Sequence, residues 1–227
     1  MKKGKFIVIE GTDGSGKGTQ VKLLLERLRK FDLEVSTTDF PQYGEPSAFF
    51  VEKYLRGDYG TVDEVGPKLA SYFYALDRFD KSFDIRKLLD QGSNLISNRY
   101  TTSSMGHQAG KITSRKEQDI FLDWLDDLEY EQFNIPRPDL VIFLSVPSEI
   151  GQQLVSKKEE REYTKGKSHD IHEADLSHLE KAHDAYHYVA DKFGWVKIDC
   201  MDGDRLMTIE EVHNLILEEV SKILCVF

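Results

Sequence analysis

Cysteine is nearly missing from this chain: 227 residues carry only Cys200 and Cys225. Neither stands in a metal-ligand spacing, which excludes zinc ribbons and dense disulfide scaffolds. Free thiols in a reducing compartment are expected, with a Cys200–Cys225 disulfide left open. Long hydrophobic runs are missing as well, and no apolar stretch approaches the ~20 residues of a membrane span. The chain as given opens Met1-Lys2-Lys3-Gly4 directly before its first apolar run. No signal peptide is therefore expected, and a cytoplasmic location is. Positive charge is not in excess: 40 acidic against 30 basic residues leave a net charge of −10. That argues against nucleic acid or an anionic membrane as partner. Internal repeats and low-complexity linkers are also lacking, so a single domain over residues 1–227 is expected.

What is present is concentrated near the amino end. Residues 10–20 read Glu10-Gly11-Thr12-Asp13-Gly14-Ser15-Gly16-Lys17-Gly18-Thr19-Gln20, directly after Phe6-Ile7-Val8-Ile9. This is G-x-x-x-x-G-K between an expected strand and an expected helix, on which Val21, Leu24, Leu25, Leu28 and Phe31 share a face. Gly11, Gly14 and Gly16 let the backbone curl with its N–H groups inward, forming a concave anion site. The helix start adds its free amides and positive dipole end. Lys17 supplies a mobile charge for the outer phosphates. The bland alternative, a Gly-rich turn with an exposed lysine, does not call for a strand before it and an amphipathic helix after it. Residues 11–19 are thus expected to bind a nucleoside triphosphate. The hydroxyl that usually follows the lysine and contacts magnesium is replaced by Gly18, which leaves the metal less firmly held by protein. Thr19 is placed to lend its hydroxyl to an inner phosphate. Gly18-Thr19-Gln20 resembles the loop of adenylate kinases and points to a nucleotide kinase.

Further strands are expected at residues 95–97, 140–146 and 196–198, with a weaker one at 34–38, and helical periodicity fills the gaps. The alternation predicts a parallel sheet with helices on both faces and ligands at the carboxyl ends of the strands. Between residues 114 and 131, Ile120, Trp124 and Leu128, flanked by Phe121 and Leu125, read as a core stripe. Asp119, Asp123, Asp126, Asp127 and Glu131 read as its solvated reverse. Leu69, Phe73 and Leu76 form another stripe, open between core and a dimer face. Residues 157–170 crowd Lys157, Lys158, Arg161, Lys165 and Lys167 among acidic residues. Such a segment is either a solvated loop or, in a P-loop kinase, a lid folding cations onto the transferring group. His169, His172, His178, His183 and His187 cluster without zinc-protease spacing and are expected to be surface histidines rather than a metal site. An arginine at a strand's carboxyl end, Arg99, suits a phosphate. Tyr74, one turn from Arg78, is suited to stack a base while the arginine bonds its edge. Either residue taken singly reads as core or as an ordinary ion pair.

Taken in order, the loop at 10–20, the Phe40-Pro41 pair, the Ala75–Arg78 segment, the Asn98-Arg99-Tyr100 turn and the Asp170-Ile171-His172-Glu173 run resemble a thymidylate kinase, over about residues 6–220. The resemblance implies an α/β P-loop kinase fold with a five-stranded parallel sheet, helices on both faces and a small lid near residues 157–172. It implies transfer of the terminal phosphate of ATP to dTMP, giving dTDP and ADP in dTTP synthesis, with Mg²⁺ accompanying ATP and a homodimer as the assembly. By matching position it assigns Asp13 to the sugar 3′-hydroxyl and the metal, and Phe40 and Tyr43 to the nucleotide pocket. It assigns Tyr74 to stacking on thymine and Arg78 to its O4. Ser103, Ser104 and Gln108 fall to N3 or substrate ordering. Lys17, Arg99 and Arg161 fall to catalysis, with Arg99 bridging the acceptor and donor phosphates and Arg161 in the lid. Gly14 stands where eukaryotic relatives carry an arginine, so this chain resembles the class with its arginine in the lid. Asn98, Ser145 and Gly18 are neutral where metal support is usual, which leaves Asp13 as the anionic anchor, acting through water, with Glu173 a distant second. His107 stands in place of an aromatic that limits access to the sugar 2′ position, so a strict deoxyribose preference does not carry over. Two alternatives stay open: another nucleoside monophosphate or deoxynucleoside kinase, and a weakly catalytic nucleotide-binding protein.

Overall fold

A computed structural model describes the backbone of residues 3–162 and 176–224, and the side chains outside 156–178 within them. Strand β1 (Phe6–Glu10) is buried along its whole length, as an apolar run covered on both faces of a parallel sheet must be. Its side chains alternate: Phe6 and Val8 enter one hydrophobic cluster, Ile7 and Ile9 the other. Around it stand β2 (Val35–Asp39), β3 (Asn94–Asn98), β4 (Leu140–Ser145) and β5 (Val196–Asp199), in the order β2-β3-β1-β4-β5. All four pairings are parallel. After β1 the chain moves to one side of the sheet for β2 and β3, then crosses to the other for β4 and β5. The crevice at the carboxyl end of β1 is therefore the switch point at which such sheets bind ligands.

Helix α1 (Lys17–Arg29) packs Val21, Leu24, Leu25 and Leu28 on one face of the sheet beside α8 (Ile209–Leu224), which is preceded by a short hairpin of β6 (Met201–Asp202) and β7 (Arg205–Leu206). Phe31 falls beyond the end of α1 and is exposed, against the expectation that it would extend the buried face. The other face carries α3 (Val62–Asp90), α4 (Thr101–Ala109), α5 (Arg115–Asp126) and α7 (Leu176–Phe193). Helix α3 opens with a Thr61–Glu64 capping box and breaks at Gly66 (φ 69°), where Pro67 starts the long segment. Helix α2 (Phe49–Leu55) lies against α3, and α6 (Ser148–Glu162) follows β4.

The core stripe expected between residues 114 and 131 is corrected here. Ile120 is 58% exposed, because the buried face of α5 runs through Gln118, Phe121, Leu122 and Leu125. A π-helical turn at Asp127–Gln132 follows, in which Leu128 and Glu129 continue that buried face and Tyr130 is buried out of the ordinary period. The Leu69–Phe73–Leu76 stripe is divided: Phe73 packs toward Tyr54 and Tyr59, while Leu69 (49%) and Leu76 (43%) face outward. Cys200 is a free, buried thiol whose pKa burial pushes up to about 12. Cys225, Glu173, His169, His172 and residues 163–172 of the expected lid lie outside the described residues, as do the side chains of Arg161 and His178.

Candidate active site

The loop between β1 and α1 is shaped by glycine. Gly11, Gly14 and Gly16 all have positive φ, at 155°, 81° and 83°. A Cβ on Gly11 would stand 2.8 Å from the Leu144 carbonyl oxygen, and one on Gly14 only 2.1 Å from that of Gly151. The loop is thus pressed against the end of β4 and the first turn of α6, where no side chain fits. Lys17 folds back over it and donates to the Thr12 carbonyl at 2.7 Å. Burial, with the positive charge of Arg99 added, pushes the Lys17 pKa down to about 8, although Asp13 and Glu10 oppose the shift. The Thr12 hydroxyl is buried inside the loop with no hydrogen-bond partner among the described residues.

Arg99 follows β3 and closes over the loop. Its left-handed backbone (φ 68°) turns the side chain back over the sheet end. Its guanidinium forms an ion pair with Asp13 and donates to Ser103 Oγ at 3.2 Å and to His107 Nε2 at 3.1 Å. Arginine only donates, so His107 accepts at Nε2 and carries its proton on Nδ1. Burial opposes the charge on Arg99, but Asp13, with Tyr186 and Glu10, outweighs it and holds its pKa above the ordinary value. Tyr43, largely exposed, lies within electrostatic reach of Arg99.

Phe40 is buried against Tyr100, with ring centroids 5.6 Å apart, so it supports the cleft from beneath. The Phe40–Pro41 peptide is cis. The loop after it is tied to α3 by Asp77, whose carboxylate accepts from the Gln42 amide (2.9 Å) and the Ser47 hydroxyl (2.6 Å). Arg78, next along α3, is fully buried and grips Glu129 with two hydrogen bonds, Nε to Oε2 at 2.7 Å and Nη2 to Oε1 at 2.5 Å. It also donates to Ser104 Oγ at 2.9 Å and the Tyr100 carbonyl at 3.3 Å. Those bonds occupy four of the five N–H donors of a guanidinium. One turn beyond Ser104, the buried Gln108 keeps an Oε1 with no partner among the described residues. Tyr74 stands half-buried, edge-on to Tyr54 at 6.3 Å.

The sequence reading missed four carboxylates. Glu10 lies wholly buried under the loop, and Glu129 wholly buried behind Arg78. Asp77 holds the loop that follows Pro41. Asp39 ends β2 opposite Asn98 of β3, hydrogen-bonds its side chain, and has a pKa raised by burial. Only Glu10 left a signal in the sequence, as a charge closing an otherwise apolar strand. Ser145, at the end of β4, hydrogen-bonds His187 at 2.9 Å, and His183 stacks edge-on to that ring. Among the described residues no group of three or more His, Cys, Asp or Glu side chains converges as a metal site. No described helix is long and apolar enough to cross a membrane.

Comparison with known proteins fits this arrangement. The chain is 29% identical over 222 residues to the thymidylate kinase of Plasmodium falciparum, covering 98% of this chain and 92% of that one. It is 30% identical over 226 residues to a probable thymidylate kinase of Thermococcus onnurineus, covering 95% and 97%. Its fold superposes on the solved thymidylate kinase of Candida albicans with a TM-score of 0.72 at 24% identity, over 97% of this chain and 92% of the other. The sequence model named thymidylate kinase matches residues 9–216, loop to last helix. On that match the chain belongs to the thymidylate kinase family, whose members are ATP-dependent nucleoside monophosphate kinases.

Proposed function

We propose that the chain transfers the terminal phosphoryl group of MgATP to dTMP, in line, between two nucleotides bound on either side of the Arg99–Asp13 pair. The observation carrying this reading is that pair itself: the arginine of the acceptor side touches the phosphate loop of the donor side. The transition state of phosphoryl transfer is loose, so the protein's task is to align reactants and neutralise spreading charge. In this reading the loop amides and Lys17 hold the donor's outer phosphates. Arg99 releases Asp13 in part to draw the acceptor phosphate into line, and Arg161 at the end of α6 supplies a second cation. A nucleotide phosphate is already an anionic nucleophile, so no strong general base is required.

Magnesium suits the donors present. Gly18, Asn98 and Ser145 bring no charge, and Asp13 is the partly exposed carboxylate of the loop itself. Mg²⁺ keeps most of its waters and leans on substrate phosphates rather than on a protein cage. Asp13 would hold it, and the ion would add charge neutralisation at the outer phosphates. The base pocket favours a pyrimidine carrying an acceptor at position 4 and a donor at N3: Arg78 has one N–H left, and Gln108 Oε1 needs a donor. Thymine and uracil match that pattern, and cytosine inverts both positions.

Steady-state ADP formation with Mg²⁺ and ATP, over dTMP, dUMP, TMP with ribose, dCMP and AMP, tests the reading. The expected order has dTMP first and dCMP lower by about a hundredfold or more in kcat/KM, since a mismatched site leaves buried polar groups unpaired. A preference for dCMP or AMP would overturn the base assignment. ATP binding without turnover on any acceptor would favour a binding protein.

We also propose a homodimer formed through α3. Leu69, Tyr72, Leu76, Phe79 and Phe83 recur at helical spacing and are all exposed, Phe83 at 60%. A twofold axis across such a stripe makes it self-complementary. Light scattering is expected to give twice the chain mass of 26.1 kDa, and Leu76→Glu with Phe83→Glu to give the single mass. A monomeric wild-type protein would refute the assembly.

A further inference from the structure

Beneath the phosphate loop lies a carboxylate that the transfer reaction does not call for. Glu10 ends β1 with no exposure to solvent. Its Oε1 accepts from the Gly11 amide at 3.0 Å and from the Tyr186 hydroxyl at 3.0 Å. Its Oε2 accepts from Thr102 Oγ1 at 2.7 Å and Ser103 Oγ at 2.8 Å. The donors belong to the loop, to the first turn of α4 and to α7, so three segments of the site meet on one side chain. Arg99 Nη1 stands 3.9 Å from Oε1; it is the cation that makes an ion pair with Glu10 among the described residues, while the buried Lys17 feels the Glu10 charge at longer range.

Four neutral donors satisfy the hydrogen-bonding capacity of this carboxylate, but a fully buried charge is costly without a cation. Arg99 is that cation, and it is bound at its other end by Asp13 and at its flank by Ser103, which Glu10 also holds. A negative charge under a phosphate loop weakens anion binding when taken by itself. Its compensating effect is on geometry: Arg99 is held between two carboxylates, one fixed in the core and one on the loop.

We infer that Glu10 is a positioning residue for phosphoryl transfer, holding Arg99 and the first turn of α4 in register with the phosphate loop. The inference rests on the kinase reading above. Its effect passes through Arg99, and this separates it from a merely structural role.

Glu10→Gln makes the test clean. A glutamine can keep its oxygen toward Gly11 and Tyr186 and turn its NH₂ toward Thr102 and Ser103, whose hydroxyls accept as readily as they donate. Shape and hydrogen bonds survive, and the charge does not. In the wild-type background kcat is expected to fall about tenfold, with ATP affinity changed less than about threefold, as for loss of an interaction made in the transition state. In the Arg99→Ala background the same change is expected to cost less than about twofold, because residues acting as a unit are non-additive. An equal factor in both backgrounds, or an unchanged kcat in the first, would overturn the inference. Should Glu10→Gln not fold, Glu10→Asp replaces it in the same cycle; it keeps the charge but withdraws it from Arg99, and the same non-additivity is required. A wild-type protein without turnover would instead sink the kinase reading, so the two failures are told apart.

Discussion

Replacing Arg99 with alanine is expected to lower kcat on dTMP by about 10²–10³-fold, the loss typical of one preorganised charge-stabilising donor. The guanidinium links the phosphate loop to α4, with Asp13 on one side and Ser103 and His107 on the other. Its removal takes away the cation proposed to face the transferring group and also the restraint on the loop carboxylate. Both losses act on alignment, so kcat should fall further than ATP affinity does. Lysine at the same position should recover only part of the rate, since an ammonium cannot span Asp13, Ser103 and His107 as a planar fork does. Steady-state rates with ATP and dTMP varied in turn read both effects. An Arg99→Ala protein within about threefold of wild-type turnover would remove Arg99 from the mechanism.

How far these features were legible in the sequence follows from how local they are. β1, β3 and β4 lie inside the sheet and must be apolar on both faces, so each shows as a continuous hydrophobic run. β2 is an edge strand, and its Ser36, Thr37 and Thr38 give only a weak signal. The phosphate loop is contiguous, and its glycines and lysine announce the backbone they require. Arg99 was readable from its place after a strand. Arg78 was not readable in its actual setting, because its partner lies 51 positions away. Glu129 was hidden because it sits in a run of acidic residues and off the stripe drawn through Ile120, Trp124 and Leu128, whereas the face that actually packs, through Gln118, Phe121, Leu122 and Leu125, reaches it at ordinary helical spacing. Ile120 erred for the related reason that Ile120 and Phe121 fit an apolar stripe about equally until the packing face is known.

The Arg78–Glu129 pair carries the other large expected effect. Glu129→Ala is expected to destabilise the fold by about 3–5 kcal/mol, because it leaves a buried guanidinium without its counter-charge. For a domain of this size that corresponds to a fall in Tm of about 6–20 °C. Burial opposes the charge on Arg78, and Glu129 outweighs it, which keeps the Arg78 pKa above its ordinary value. The pair is no proof of stability in itself, since a well-packed apolar replacement of both residues is often neutral or better. Arg78→Met with Glu129→Leu should therefore recover most of the lost Tm. It should not recover recognition: the free N–H assigned to the base is gone, so the KM for dTMP should stay high while that for ATP stays near normal. Thermal unfolding and acceptor kinetics on the single and double variants separate the two roles. A double variant that regains both stability and the wild-type acceptor KM would show that Arg78 serves packing alone, and a Glu129→Ala protein within about 1 kcal/mol of wild type would show that the buried charge is relieved by other means.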